Sequence, residues 1–243
     1  MEREVRSISL INILERNNSV KTSLTGVLPA EKVLVMAPHH DDEVVGCGGS
    51  ILRYLDIKTD VTIAYLTDGR YGVIGKNNDI RRKEAIEAWK DYLVEQVFWD
   101  FEDSHMDKDC VQKEMIKLIS DLSPDVIFVP WPLDRHIDHK MTGFYLAEAL
   151  EGLNNENIMI CSYEVMYPLY ANKIVDITNQ IDNKLEIMSA YKSQIQYLNL
   201  EQLVKTIGLQ RAYTTQLKSV KSAEAFFVCD YKGYVDFIKK VFS

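Results

Sequence analysis

The chain of 243 residues is poor in cysteine, carries no excess of basic charge and lacks an apolar run of membrane-spanning length. Its four cysteines are scattered and form no CxxC pair, which excludes a disulfide scaffold or a zinc ribbon and fits a reducing cytoplasm. Lys and Arg number 28 against 36 Asp and Glu, so the net charge is −8 and nucleic acid is not an expected partner. The apolar stretch 8–14 is too short to span a bilayer, so we expect neither membrane insertion nor secretion.

The composition is that of an ordinary globular protein. Apolar residues make up 47% and charged residues 26%, which is enough to build a sizeable core and argues against disorder. We interpret residues 1–243 as one domain, with residues 1–30 as an N-terminal lead-in.

Short apolar runs that end in polar loops alternate with stretches of helical period. The predicted strands are 33–37, 61–66, 97–101, 126–129, 158–165 and 225–229. The predicted helices are 49–56, 79–94, 111–122, 140–153 and 183–194, and Ser123 with Pro124 ends the third of them. This alternation predicts a Rossmann-like three-layer α/β fold, with a mainly parallel central sheet covered on both faces.

Four of the five histidines fall into two short clusters, 39–43 and 134–139, each directly after a predicted strand. Ligands bind at the carboxyl ends of such strands, so the clusters are expected at one edge of the sheet. Imidazole and carboxylate ligands suit a divalent transition metal, zinc first. The set can supply three ligands and a spare carboxylate as base, as metal-assisted hydrolysis requires. The alternative is that Asp41 or Asp42 simply caps the following helix.

These motifs resemble the PIG-L/LmbE family of zinc-dependent de-N-acetylases. The resemblance rests first on Pro38-His39-x-Asp41-Asp42-Glu43 with Gly48-Gly49, and on His136-x-Asp138-His139. Weaker matches follow in the family's order over roughly residues 31–230: 66–69, Ile80-Arg81 with Glu84, 192–194 and 224–226. Where the family most often has proline, this chain has His40, which we expect to face solvent or the cavity wall and which is an alternative ligand.

The resemblance implies a metal bound by His39, Asp42 and His139. Zn²⁺ is the expected ion, and Fe²⁺ is another divalent candidate. Asp41 would be the general base that takes a proton from the attacking water, and His136 would stabilise the oxyanion of the tetrahedral intermediate.

The resemblance also implies roles around this centre. Asp138 would hold one of the imidazoles in the right tautomer. Arg81, Asp103 and Arg70 would contact sugar hydroxyls at the mouth of the site. Trp131, on the loop before the second cluster, is a candidate for stacking on a sugar ring, with core packing as the alternative.

The motifs favour a cytoplasmic metal-dependent amide hydrolase, and the family resemblance implies that it removes an N-acetyl group from an N-acetylglucosamine-type sugar or glycoconjugate. Other amides, such as an antibiotic or a thiol-cofactor precursor, stay open as substrates. A metal-binding or sugar-binding protein without turnover and a metal-dependent phosphoesterase are the further alternatives. Nucleotide binding is not expected, because Gly46-x-Gly48-Gly49 does not meet the GxGxxG spacing.

Overall fold

A twisted sheet of eight strands organises the computed structural model, which describes residues 23–72, 78–153 and 157–242. The strands are β1 (Ser23–Thr25), β2 (Lys32–Ala37), β3 (Asp60–Thr67), β4 (Val94–Phe101), β5 (Val126–Pro130), β6 (Met159–Tyr163), β7 (Lys173–Asp176) and β8 (Ala223–Asp230). Their order is β1-β7-β8-β6-β5-β2-β3-β4. Strand β8 is antiparallel to both its neighbours, and all other pairs are parallel. The predicted α/β class with a mainly parallel sheet is confirmed.

Helices cover both faces of this sheet. They are α1 (Asp42–Asp56), α2 (Asn78–Ala88), α3 (Lys108–Leu122), α4 (Ile137–Glu151), α5 (Ile181–Met188), α6 (Lys192–Ile195), α7 (Leu200–Thr214) and α8 (Tyr231–Phe242). Alternate residues of β2 enter two separate cores: Val33 and Val35 pack with α1, α2, α5 and α7, whereas Leu34 and Met36 pack with α3, α4 and α8. Because both faces of the central strands are buried, these strands read as continuous apolar runs rather than alternating ones.

Two predicted helices differ from the observed ones: one is too long, and the other is interrupted. The chain turns after Ala88, so the predicted helix 79–94 ends six residues early and β4 begins at Val94 instead of position 97. The predicted helix 183–194 is two helices, α5 and α6. Glu84 of α2 accepts hydrogen bonds from the N–H and the hydroxyl of Ser193, at 2.7 and 2.6 Å, and so ties the first turn of α6 to α2.

The sequence patterns did not predict strand β7 or helices α7 and α8. Helix α7 contains Gly208, where a Cβ would lie 2.3 Å from the Ser222 hydroxyl, so close packing on the loop before β8 places a poor helix former within a helix. Helix α8 follows β8 without a connecting loop. Its start is marked only by Asp230, whose carboxylate accepts from the N–H of Gly233 at 2.7 Å.

No helix within the described ranges is both long and apolar enough to cross a membrane. The cysteines Cys47, Cys110, Cys161 and Cys229 are all free thiols.

The turn after β2 buries His40 completely, so the expectation that it faces solvent or the cavity wall is wrong. Its ring stacks on Tyr65, with 4.7 Å between ring centroids, and lies 5.7 Å from Phe98. Neither ring nitrogen has a hydrogen-bond partner among the described residues. Burial and then the positive charge of Arg81 lower the pKa of His40 to about 3, so the imidazole is neutral.

We expect His40→Phe to stabilise the protein, because it removes an unpartnered buried polar group and keeps the aromatic stack. Such groups cost about 1–3 kcal/mol, and in a chain of this size each kcal/mol shifts the melting temperature by roughly 2–4 °C. Thermal unfolding of the variant checks this. Tyr65→Phe is the matched control: it removes a hydroxyl that donates to Glu43 at 2.9 Å, and it should lower the melting temperature. A drop for His40→Phe as well would contradict the assignment.

Candidate functional site

The two histidine clusters meet at the carboxyl edge of the sheet. One lies in the turn between β2 and α1, and the other between β5 and α4; β2 and β5 are adjacent parallel strands. Both clusters line a cavity of about 290 Å³, which also receives residues from the loops after β3, β4 and β6 and from the segment around α6. The geometric expectation from the strand ends is therefore correct.

One carboxylate oxygen joins the two clusters. Oδ2 of Asp42 lies 3.0 Å from Nδ1 of His39 and 3.2 Å from Nε2 of His139, and it also accepts from the N–H of His39 at 2.9 Å. Ligands around a tetrahedral zinc ion, each about 2.0–2.1 Å from the metal, lie roughly 3.3 Å apart. The distances from Asp42 Oδ2 to the two imidazole nitrogens, 3.0 and 3.2 Å, are close to that value.

The outward nitrogens of the same two rings face further carboxylates. Nε2 of His39 lies 3.0 Å from Oδ2 of Asp138, and Nδ1 of His139 lies 3.4 Å from Oδ1 of Asp134. Asp138 is in turn fixed by the N–H of Ser104 at 3.0 Å. Such carboxylate–imidazole pairs are the usual support of metal-ligating histidines, since they set tautomer and ring orientation. The His39–Asp138 contact is a hydrogen bond, whereas Nδ1 of His139 has no hydrogen-bond partner among the described residues. Sequence reasoning missed the role of Asp134, although it stands at the start of the second cluster.

The electrostatics of these pairs favour positive charge between the rings. Burial disfavours a charged imidazole, but the carboxylates of Asp42 and Asp138 outweigh it and raise the pKa of His39 to about 10. For His139, burial is outweighed by Asp42 and Asp134, which raise its pKa to about 9. The carboxylates around these two rings therefore favour positive charge at this position, which is compatible with a bound cation.

A third imidazole stands beside these two. A ring nitrogen of His136 lies within 4.8 Å of ligand atoms of His39 and His139, so a three-histidine set could also hold a metal ion. His136 is the N-cap of α4, and its Nδ1 accepts from the N–H of Asp138 at 3.2 Å. In the neutral ring the proton must then reside on Nε2. Burial and the charges of His39 and His139 lower the pKa of His136.

Asp41 borders the cavity in a strained conformation. Its φ of 127° is in the left-handed region, and although it occupies the N-cap position of α1 its side chain makes no capping hydrogen bond. Oδ1 of Asp41 instead pairs with the guanidinium of Arg81 at 3.0 Å, and its N–H donates to Glu43 at 3.1 Å. The alternative in which Asp41 caps the helix is therefore wrong. Burial raises the pKa of Asp41 to about 7, with Arg81 opposing the shift and Asp42 adding to it.

Arg81 is itself buried, with 4% of its surface exposed. Besides Asp41 it donates to the backbone oxygen of His40. A Cβ on Gly69 would lie 2.6 Å from Cδ of Arg81, so this glycine, with its φ of 66°, leaves space for the arginine to reach the site. The structure thus brings Arg81 to the cavity as a partner of Asp41.

Arg70 and Asp103, two further predicted substrate contacts, are both engaged with neighbouring parts of the protein. Arg70 is bound to Asp68, at 2.6 Å from Nε to Oδ2, and is not among the residues that line the cavity. Asp103 lines the cavity, but its two oxygens accept from the N–H groups of Gly69 and Tyr71, each at 3.0 Å, and so shape the loop after β3.

Trp131 does not present a face to a sugar, and that expectation is corrected by the structure. It is only 4% exposed and packs in the core, with ring centroids 5.5 Å from Phe227 and 5.4 Å from Phe237. These partners lie about a hundred residues later in the chain, on β8 and α8. Core packing, the alternative interpretation of this residue, is what the fold shows.

Glu43 is a further residue whose contacts the sequence did not reveal. Its Oε1 accepts from the hydroxyls of Tyr65 and Tyr191, at 2.9 and 2.5 Å, and from the indole N–H of Trp89 at 3.0 Å. Because Oε2 accepts from the N–H of Asp41, this buried carboxylate ties the strained turn to β3 and to the helical layer. Its position in the first histidine motif marks Glu43 as a candidate functional residue. Its partners could not be predicted from the sequence, because they come from distant segments.

Comparison with known proteins agrees with this geometry. The model of the family described as PIG-L, GlcNAc-PI de-N-acetylase, matches residues 34–150. A diacetylchitobiose deacetylase from Thermococcus kodakarensis is 30% identical over 189 residues, covering 68% of this chain and 70% of that protein. A probable N-acetyl-alpha-D-glucosaminyl L-malate deacetylase 2 from Bacillus cereus is 28% identical over 183 residues, covering 67% and 83%.

A solved structure is similar over nearly the whole chain. The N,N'-diacetylchitobiose deacetylase from Pyrococcus horikoshii has 27% identity and a TM-score of 0.74, covering 93% of this chain and 94% of that one. The fold, the paired histidine motifs and the sequence identity all indicate the same family. The resemblance seen in the sequence is confirmed, and this chain belongs to the PIG-L family of de-N-acetylases.

Proposed function

We propose that this chain is a metal-dependent hydrolase of the N-acetyl group on an N-acetylglucosamine-type sugar or glycoconjugate. The observation that carries the proposal is the Asp42 oxygen shared by His39 and His139, with Asp41 beside it in the same cavity. The names of the relatives support the substrate class, since they act on diacetylchitobiose or on a glucosaminyl malate.

The metal would be held by His39, Asp42 and His139, with Asp138 and Asp134 orienting the two rings. Zn²⁺ is the first candidate because it favours imidazole and carboxylate ligands, and Fe²⁺ is the second. When bound, a divalent cation supplies Lewis acidity, which polarises the amide carbonyl and makes a water molecule more acidic.

The protein's own groups would manage the protons. Asp41, held by Arg81 at the cavity wall, takes a proton from the attacking water and passes it to the departing amine nitrogen. His136 donates from Nε2 to the oxygen that becomes negatively charged on the way to the tetrahedral intermediate. The products are acetate and the free amino sugar.

The shape of the cavity supports a small polar ring as the bound group. Its volume of about 290 Å³ is just below the roughly 300–1,000 Å³ common for ligand pockets. Its lining includes polar side chains, among them Asp41, Arg81 and Gln194, and apolar ones, among them Val165 and Leu198. A sugar offers hydroxyls to the polar side chains and C–H surface to the apolar ones.

We also propose that the chain acts in the cytoplasm as a single domain. The support for the location is that its cysteines are free thiols. The support for one domain is that a single sheet runs through the described residues, from β1 to β4 across its width.

The substrate proposal is tested by incubating the metal-loaded protein with a panel of acetylated compounds and measuring free amine. The panel contains N-acetylglucosamine, diacetylchitobiose, an N-acetylglucosaminyl malate and an acetylated amine that is not a sugar. We expect amine release from at least one sugar, loss of release with a chelator and recovery when Zn²⁺ or Fe²⁺ is returned. Release from the non-sugar amide alone would contradict the proposed substrate.

Asp41→Asn should keep the metal and lose turnover, because the amide cannot take up a proton, whereas His139→Ala should lose the metal. General base catalysis contributes about 10²–10⁴-fold, so a loss of that size is expected for Asp41→Asn. Metal content and amine release are measured on both variants, with Asp109→Asn on the exposed start of α3 as control. Equal loss of metal in Asp41→Asn and His139→Ala would overturn the assignment of the base.

Arg81→Lys separates two roles for this arginine. Arg81 contacts Asp41 and the His40 carbonyl, so we expect kcat to fall about 10- to 100-fold in the variant, with little change in KM. This loss corresponds to charge-assisted hydrogen bonds worth ~1.5–3 kcal/mol. The neighbouring Arg82→Lys, in an exposed pair with Asp100, is the control. A rise in KM at constant kcat would instead show that Arg81 binds the sugar, as the family resemblance implies.

A further inference from the structure

Helix α1 bends in its first half, and the bend lies between the proposed metal site and the rest of the helix. Cys47 has φ −143° and ψ 15°, which are not helical values. The cause is close packing on both sides. A Cβ on Gly46 would lie 2.1 Å from Tyr163 of β6, and a Cβ on Gly49 would lie 2.7 Å from Ile177 just after β7. Glycine is required at both positions, and glycine favours a break in the helix.

An ion pair from elsewhere in the chain partners the backbone groups at this bend. In a regular α-helix the N–H of Gly49 would donate to the carbonyl of Val45. Here the N–H of Gly49 donates to Oε1 of Glu224 at 2.7 Å, and the carbonyl of Val45 accepts from Nζ of Lys184 at 2.9 Å. The two side chains also contact each other, with Nζ of Lys184 2.7 Å from Oε1 of Glu224.

Glu224 has no remaining capacity for other partners. Its Oε2 accepts from the N–H and the hydroxyl of Ser50, at 2.8 and 2.6 Å. Glu224 and Lys184 are each only 3% exposed, and neither lines the cavity. A buried pair of charges is tolerated when the remaining donors and acceptors are satisfied, as they are here, and removal of one partner leaves an uncompensated charge.

The segment on the other side of the bend carries the site. Asp42 and Glu43 form the first turn of α1, and Val45 lines the cavity. The direction of this short segment depends on the bend. From this geometry we propose that Glu224 and Lys184 are positioning residues that hold the bend of α1 and thereby place the Asp42 carboxylate between His39 and His139. This inference rests on the proposed function, because Asp42 matters there as a metal ligand.

The test uses Glu224→Gln in the full chain. The amide keeps the shape of Glu224, but its NH₂ end can no longer accept from the backbone at the bend. Ile119→Ala is the control for lost stability. Ile119 is buried, with 2% of its surface exposed, and it lies near the end of α3, at the edge of the sheet opposite to the site. Lys184→Met, which removes the cation and leaves the carboxylate to accept from the Gly49 and Ser50 N–H groups, is a second variant, so the test does not depend on one variant folding.

Three measurements are made at a temperature where every variant is folded. Co²⁺ alone is titrated into metal-free protein and its visible spectrum recorded, since the spectrum reports ligand geometry. Hydrogen exchange is measured on metal-free protein for the amides of residues 42–50. With an active substrate, kcat and KM are determined. A misplacement of about 1 Å can cost 10²-fold in rate, so we expect at least a tenfold loss in Co²⁺ affinity or kcat for Glu224→Gln.

The expected pattern is specific to a positioning role. Glu224→Gln should alter the Co²⁺ spectrum, speed exchange at Gly49 and Ser50 and lower kcat more than KM, while Ile119→Ala at equal loss of melting temperature should do none of these. Equal spectra, exchange and kcat in the two variants would overturn the inference. If the unaltered protein binds no Co²⁺, the proposed function fails, and the exchange data still decide whether Glu224 holds the bend.

Discussion

The site depends on one carboxylate oxygen that is shared by two histidines from distant parts of the chain. Asp42 and His39 are three residues apart, but His139 comes almost a hundred residues later. They meet because β2 pairs with β5, with Val35 opposite Phe128, so both strands end at the same edge of the sheet. The strand order is therefore the part of the fold that the proposed chemistry cannot do without.

That edge gathers more negative charge than a protein usually buries. Asp41, Asp42, Asp134, Asp138 and Glu43 are each at most 9% exposed. Each has partners from another segment of the chain: histidine rings, the Arg81 guanidinium, backbone N–H groups or the aromatic donors around Glu43. Buried charges that lose a partner are costly, so the network also restricts how far the turn around Asp41 can move. The residues of the site and those of the core are therefore joined by one network of contacts.

The sequence predicted the sheet class and both clusters because these depend on local pattern: apolar runs, helical period and residue spacing. Sequence patterns failed to predict the environment of a side chain where that environment depends on residues distant in the chain. Trp131 sits between two prolines and suggests a loop, yet Phe227 and Phe237 bury it. His40 follows a metal-ligand candidate, yet Tyr65 and Phe98 enclose it. No spacing along the chain encodes such contacts.

The contacts in the structure explain two weak matches to the family motifs, the glycine pair in α1 and Glu224 in β8. Gly48-Gly49 and Glu224 lie about 175 residues apart and mean little separately. In the structure they belong to one arrangement: glycine lets α1 approach β6 and the end of β7, the approach bends the helix, and Glu224 accepts from the N–H groups at the bend. A helix that packed without glycine would need no such acid, and an acid there without the bend would lose the backbone N–H donors of Gly49 and Ser50. Each requires the other, and the turn bearing Asp42 depends on both.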